Sequence, residues 1–400
     1  MLDRIKTAQL VTAAQGRIFR QVRSLQWLTK AMWQQVVTQP AFVAALDLAR
    51  TKQPLTNWQG SLADIVAVTP MAGPYDVVAI DGSQIYPDNH FQGIDCFLIH
   101  TGLCHLSYTA HPELVEGRPV GVEERARKSS VHFAAEPYLF TTQEAQTKYK
   151  QSFFSPDLVD LIREDYELTL LAEQAKLPAD GNKLRFGLFD GNVFFWHLEM
   201  KPQQIKTVFL ERYFQQLTVL YRQEFLYAGY LSGARFSDLA ALLRVGLCEG
   251  TDACDLSRSQ LYDICTMTEM LTDAELLAFV LAPGERTTVF SCVGSVVDLY
   301  PEHSKPWFFY LHTGDEVVRI EVPAWIVAKP RAVDLIAACC LDQATKGLGY
   351  PVALAEAHAQ AVVTGADRTF FYEWIAMQSV RQQRNVAVSP KSLKKKLLGF

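Results

Sequence analysis

The chain has 400 residues, 49% of them hydrophobic, which is enough apolar material for a large buried core and excludes a wholly disordered chain. Its formal net charge is -5 and its sequence pI about 6.0, so it does not coat nucleic acid by bulk charge, and any DNA binding requires a local positive surface. No apolar run approaches the roughly 18 residues of a membrane helix, and Met1 to Arg20 lacks the apolar block of a signal peptide, so a cytoplasmic protein without a membrane span is expected.

From Thr7 to Lys52 apolar residues recur at helical spacing (Ile18, Val22, Leu25, then Ala31, Trp33, Val36, Val37), which predicts a pair of helices and an N-terminal helical extension. At Asp76 the pattern changes. Val77, Val78, Ala79 and Ile80 form a short apolar run ending in Asp81-Gly82-Ser83, the mark of a buried strand meeting a turn. Two further strand-like runs follow, Cys96 to His100 and His105 to Thr109, and the polar segment 111–150 is expected to be a loop or excursion.

Pro156 and Asp157 open a predicted helix that runs to about Gln174. The next strand, Leu184 to Phe189, ends in a second Asp-Gly turn, Asp190-Gly191-Asn192. Helices are predicted over Gln203 to Tyr227, Ser237 to Val245, Val333 to Lys346 and Val352 to Val363, and strands over Thr288 to Cys292, Trp307 to His312 and Val317 to Val322. The tail from Arg381, with Lys394-Lys395-Lys396, is basic and expected to be mobile. The eight cysteines form no CxxC pair, so reduced structural thiols are expected rather than a disulfide framework or a zinc knuckle.

Strands and helices in this order predict an α/β fold, with both Asp-Gly turns at strand ends, where open α/β sheets place ligands. A single Asp-Gly is a weak signal, since the pair is also a common turn. Here it recurs in context, with an acidic helix between the two copies. Hydrolysis of a phosphodiester needs charge neutralisation and an activated water, which two divalent ions about 4 Å apart supply. Asp81, Asp190, an acid on the 157–174 helix and His358 suit such a site. An imidazole among carboxylates favours manganese over magnesium. Nucleotide binding through the same turns, as in the actin and sugar-kinase branch, is disfavoured because no glycine-rich phosphate loop of the form GxxxxGK[ST] is present.

Ordered blocks of the chain resemble the NurA nucleases, in their bacterial branch. Ala79-Ile80-Asp81-Gly82-Ser83 is similar to the family's first motif and Leu188-Phe189-Asp190-Gly191-Asn192 to its second. Pro283 to Thr287, Glu316 to Pro323 and Gly349-Tyr350-Pro351 with Ala355-Glu356-Ala357-His358 resemble later blocks. The resemblance implies an RNase H-like mixed sheet flanked by helices, with a nuclease domain over 71–380 between a helical region at 1–70 and the tail at 381–400.

It further implies a manganese-dependent deoxyribonuclease, exonuclease or single-strand endonuclease, that processes DNA ends with a HerA-type hexameric ATPase, as a homodimer, in DNA repair. The alternative is a non-catalytic subunit that clamps DNA for such a motor. Asp81, Asp190 and His358 would be metal ligands in a two-ion site. Arg163 and Glu167 match the family's Arg-then-Glu spacing, so Glu167 is the chosen helix acid, with Glu173 next and Glu164 after it, although helical geometry points Glu164 and Asp165 nearer the apolar stripe. Asn192 replaces the family's usual Ser or Thr, and Gln84 stands where a basic residue often follows. Arg286, Arg319 and Lys329 are candidate DNA contacts, with an Arg319–Glu321 salt bridge as the plainer account of that pair.

Overall fold

The computed structural model describes residues 2–18, 29–48, 54–88, 91–92, 94–109, 130–152, 154–178, 181, 183–247, 271–382 and 387–388. Helices α1 (Arg4–Ile18), α2 (Lys30–Val37) and α3 (Pro40–Leu48) open the chain. The strands β1 (Ile65–Ala67), β2 (Tyr75–Ile85), β3 (Phe91–Gln92), β4 (Cys96–Tyr108) and β5 (Ser130–Thr141) follow. Next come α4 (Thr142–Lys148), α5 (Pro156–Lys176), β6 (Leu184–Asp190), α6 (Gln203–Arg222), β7 (Leu226–Leu231), α7 (Asp238–Gly246) and α8 (Asp273–Leu277). The last part holds β8 (Glu285–Thr287), β9 (Phe290–Ser291), β10 (Pro306–His312), β11 (Val317–Pro323), α9 (Ala324–Ala328), α10 (Ala332–Lys346), α11 (Val352–Ala361), α12 (Gly365–Arg381) and β12 (Ala387–Val388).

The main sheet has the strand order β1-β8-β10-β11-β7-β6-β2-β4-β5, with β9 on β10, while β3 and β12 form a separate ladder. At its centre β2 pairs antiparallel with β4 and parallel with β6, and β6 pairs parallel with β7. The antiparallel β10–β11 hairpin joins β7 on the far side. Tyr75 through Ile80 are all buried, as expected for a strand covered on both faces.

Side-chain alternation assigns the two layers. Gly82 lies against Arg163 and Glu167 of α5, and Gly187, registered with Val78, lies against Leu171 of the same helix. Even-numbered residues of β2 therefore face α5. Odd-numbered ones face α10 and α11: the Tyr75 hydroxyl is bonded by Gln343 of α10 at 2.9 Å, and Gly102, registered with Asp81, meets the backbone of α11. Helix α6 backs α5, where Arg212 donates to the buried Asp165 and the Tyr213 hydroxyl to the Leu161 carbonyl. A second core joins Trp33, Val37, Phe42 and Leu46 of α2 and α3 to Leu239 and Leu243 of α7 and to Phe290 and Phe308.

Several expectations need correction. Of the presumed loop 111–150, residues 130–141 form strand β5, paired along its length with β4, and 142–148 form α4, closed by a Thr141–Glu144 capping box. Tyr149 and Lys150 form the turn after α4, and 111–129 lies outside the described residues. The two runs at 96–100 and 105–109 are one strand, since Gly102 continues the pairing to β2 rather than turning the chain. The helix expected to reach Tyr227 ends at Arg222, where Glu224 takes a left-handed φ of 48° and the chain turns into β7. Of the strand expected at 288–292 only Phe290 and Ser291 form a strand, β9, while β8 ends before it at Thr287. Helix α12 falls on a segment with no predicted element and carries no buried residue.

Cys96, Cys104, Cys292, Cys339 and Cys340 are free thiols, and Cys248, Cys254 and Cys265 lie outside the described residues. Ala387 and Val388 of the basic tail pair with β3, and most of the rest of the tail lies outside the description. Among the described residues no helix is long and apolar enough to cross a membrane.

The close approach of α11 to β4 is directly testable. A Cβ at Gly102 would fall 2.4 Å from both the Ala357 oxygen and the Ala361 nitrogen, whereas Gly73 has open space around it. Gly102→Ala is expected to lower the unfolding free energy by about 1–3 kcal/mol, and Gly73→Ala by no more than about 0.5 kcal/mol, in chemical denaturation. Equal, small effects would contradict that contact.

Candidate active site

The parallel register of β2 and β6 ends at Ile80 with Phe189, so Asp81 and Asp190 are the next residues on neighbouring strands, which lie about 4.8 Å apart. Strand β6 stops at Asp190 while β2 continues to Ile85, leaving an open notch beside the extension. Gly191 makes the turn with a φ of 102°, and its N–H donates to the Tyr230 carbonyl at 3.0 Å. Gly229 allows the turn to lie close, because a Cβ there would sit 2.5 Å from the Gly191 oxygen.

His358 reaches the notch from α11, with Nδ1 2.7 Å from Asp81 Oδ2. The end of that helix is fastened to the sheet by Ser83 and His100, both hydrogen-bonded to the Ala361 carbonyl. Glu167 enters from the other face. A Cβ on Gly82 would lie 2.4 Å from Glu167 Oε1, so its carboxylate occupies the space that the glycine leaves. Arg163, one turn earlier, forms an ion pair with it. Burial pushes the Glu167 carboxyl up to about 8; Arg163 pulls it down, while Asp81 and Glu164 push it further up.

Glu164 pairs instead with His197 at 3.1 Å, and Asp165 with Arg212 and the Tyr149 hydroxyl. Glu173, the second choice for the helix acid, is exposed and six residues beyond Glu167, about 9 Å along the helix axis. Tyr350, unnoticed as a site residue, packs edge-on against Tyr230 at 5.6 Å, and Tyr230 is registered with Asp190. Burial and the neighbouring Asp190 carboxylate hold its hydroxyl far above the usual phenol range.

Around the notch lie Asp81 with His358, Glu167 with Arg163, and Asp190 beside Tyr350. Among the described residues no three His, Cys, Asp or Glu side chains are set around one common ion position. Each of three acids has a local partner: Asp81 the His358 ring, Glu167 the Arg163 guanidinium, Glu164 the His197 ring.

The candidate DNA contacts lie elsewhere. Arg319 is 3% exposed, stacked between the Phe236 and Phe308 rings and paired with Asp238 and Glu321, so it is an internal residue rather than a surface cation. Arg286 is buried against Asp334 and the Thr287 carbonyl. Lys329 pairs with Glu224 beside Lys183 and Arg185, at the opposite end of β6 from Asp190.

The NurA domain family model matches residues 75–363. The chain belongs to the NurA family. The matched span begins at the first residue of β2, ends just beyond α11, and contains Asp81, Glu167, Asp190, Tyr350 and His358. Among solved structures, the chain is similar to the NurA nuclease from Sulfolobus solfataricus, with 11% identity, a TM-score of 0.48 and coverage of 96% of this chain and 98% of that one. It is also similar to NurA with manganese (9% identity, TM-score 0.33, covering 78% and 90%) and to NurA bound to dAMP and manganese (10%, 0.34, covering 92% and 96%). No curated protein matches the chain.

The raised Glu167 pKa fixes the sign of a pH effect in chelator. Folded chain keeps a proton that unfolded chain releases, so this group's stabilisation is full below about 4.5 and is lost as pH rises through about 8. Asp273 and Glu321, raised to about 6 and about 7, overlap that window, so the informative quantity is the difference from Glu167→Gln. Relative to that variant, wild type should lose unfolding free energy between about pH 4.5 and 8; a difference independent of pH would contradict the assignment.

Proposed function

We propose that this NurA-family chain is a divalent-metal-dependent deoxyribonuclease whose site is built from Asp81, Glu167, Asp190 and His358, on a sheet of RNase H-like type. The observation that carries the reading is the adjacency of Asp81 and Asp190 on parallel strands, with Glu167 beneath Gly82 and His358 bonded to Asp81. Clustered carboxylates repel one another, and a partly buried acidic cluster persists where a cation compensates it. Carboxylate oxygens and one imidazole nitrogen form a donor set suited to hard or borderline divalent ions, and the imidazole tilts the choice toward manganese. Bound in a pair, such ions would neutralise phosphate charge and activate water for hydrolysis.

Each element has a distinct part in this reading. Strands β2 and β6 fix the two aspartates; α5 brings Glu167 through the gap at Gly82; α11, held by Ser83 and His100, orients His358. Tyr350 borders Asp190 and limits the positions its carboxylate can take. DNA as substrate, a HerA-type ATPase as partner, a homodimer and a role in DNA end processing are proposed on family membership and not on the site geometry.

Purified chain should cleave labelled DNA with Mn2+ and stop in EDTA. Asp81→Asn and Asp190→Asn should each reduce the rate by about 100-fold or more without loss of fold by circular dichroism. Cleavage retained in both variants would contradict the assignment, and DNA binding without cleavage in wild type would favour a clamping subunit.

A further inference from the structure

Arg163 is placed where a second cation for the acidic cluster would otherwise be needed. Its guanidinium forms an ion pair with Glu167, has Nη2 4.0 Å from Glu164 Oε1, and lies within the influence of the Asp81 charge. Its Cγ packs over Gly82, 2.8 Å from where a Cβ would be, so the side chain crosses the floor of the notch on its way to Glu167. Its side chain is only 23% exposed and that of Glu167 14%, so the pair is poorly screened by solvent, and Arg163 is the group that draws the buried Glu167 carboxyl toward its charged form.

We propose that Arg163 is an internal counterion in direct competition with a divalent cation for Glu167, and so sets how tightly metal loads. The inference rests on the reading of Asp81, Glu167, Asp190 and His358 as a metal site. A guanidinium and a metal ion cannot both take the same carboxylate oxygens, and each carries the positive charge that the cluster requires. A displaced Arg163 has further acids on its own helix: Glu164 beside it, and Asp160 one turn earlier, whose Oδ1 already accepts from Gln84 and Tyr86. Exchange therefore transfers the guanidinium between carboxylates instead of stranding it. The pairing of Glu167 with Arg163, together with that of Asp81 with His358, also accounts for the lack of a preformed three-donor group among the described residues.

The test is calorimetric titration of the full chain with MnCl2, using wild type, Asp81→Asn, Arg163→Met, Arg163→Lys, each Arg163 change combined with Asp81→Asn, and the Arg163 changes in a Glu167→Gln background. Removing the competitor should tighten Mn2+ binding by about tenfold or more in Arg163→Met, with Arg163→Lys intermediate and the gain abolished when Glu167 is Gln. In EDTA, Arg163→Met should melt below wild type, and Mn2+ should raise its melting temperature by more. Where Arg163→Met does not fold, Arg163→Lys carries the comparison. Asp81-dependent Mn2+ binding that is unchanged or weaker in the Arg163 variants would overturn the competition while leaving the metal site intact. Absence of Asp81-dependent binding in wild type would overturn both.

Discussion

The parallel pairing of β2 with β6 is the constraint on which the site depends. Register in a sheet is fixed to the residue, and a slip of one position would move Asp190 to the other face. With Ile80 opposite Phe189, the two aspartates follow at the same height on adjacent strands. The apolar runs before them, buried on both faces, make that register costly to change. Helices α5 on one face and α10 and α11 on the other complete the burial, so the same packing that stabilises the sheet also delivers Glu167 and His358 to its edge.

Two glycines decide how closely those helices can come. Gly82 admits the Glu167 carboxylate to a place where any side chain would exclude it, and Gly102 lets the backbone of α11 touch β4. Consecutive residues of β2 thus do different work: Asp81 faces α11 and meets His358, while Gly82 opens toward α5. The acids brought together in this way would repel; Arg163 offsets that repulsion at Glu167, while the His358 and His197 rings take up Asp81 and Glu164 as polar partners.

Much of this arrangement can be read in the sequence where the signal is local. Each strand bearing an aspartate is an apolar run broken by Asp-Gly, and the helix between them has a proline at its first position, so both are legible without a structure. The choice of Glu167 is not, because helical periodicity reports the average apolar face and is blind to a single gap such as Gly82 on another element. Tyr350 and His197 likewise become visible only through contacts made across the fold. Strand β5 was obscured because it is an edge strand exposed along most of its length, and its apolar residues, Val131, Phe133, Leu139 and Phe140 among them, follow no strict alternation. Arg319 had the opposite problem: an arginine between apolar residues is compatible with a surface strand, and only its stacking between Phe236 and Phe308 shows it to be internal.

The central claim is that Asp81 and Asp190 hold a divalent ion jointly. Anomalous diffraction from crystals soaked in MnCl2 measures this most directly. A manganese peak within about 2.0–2.3 Å of a carboxylate oxygen from each residue is the result predicted. Manganese bound only at sites remote from this pair, with the notch still closed by Arg163 and His358, would contradict it.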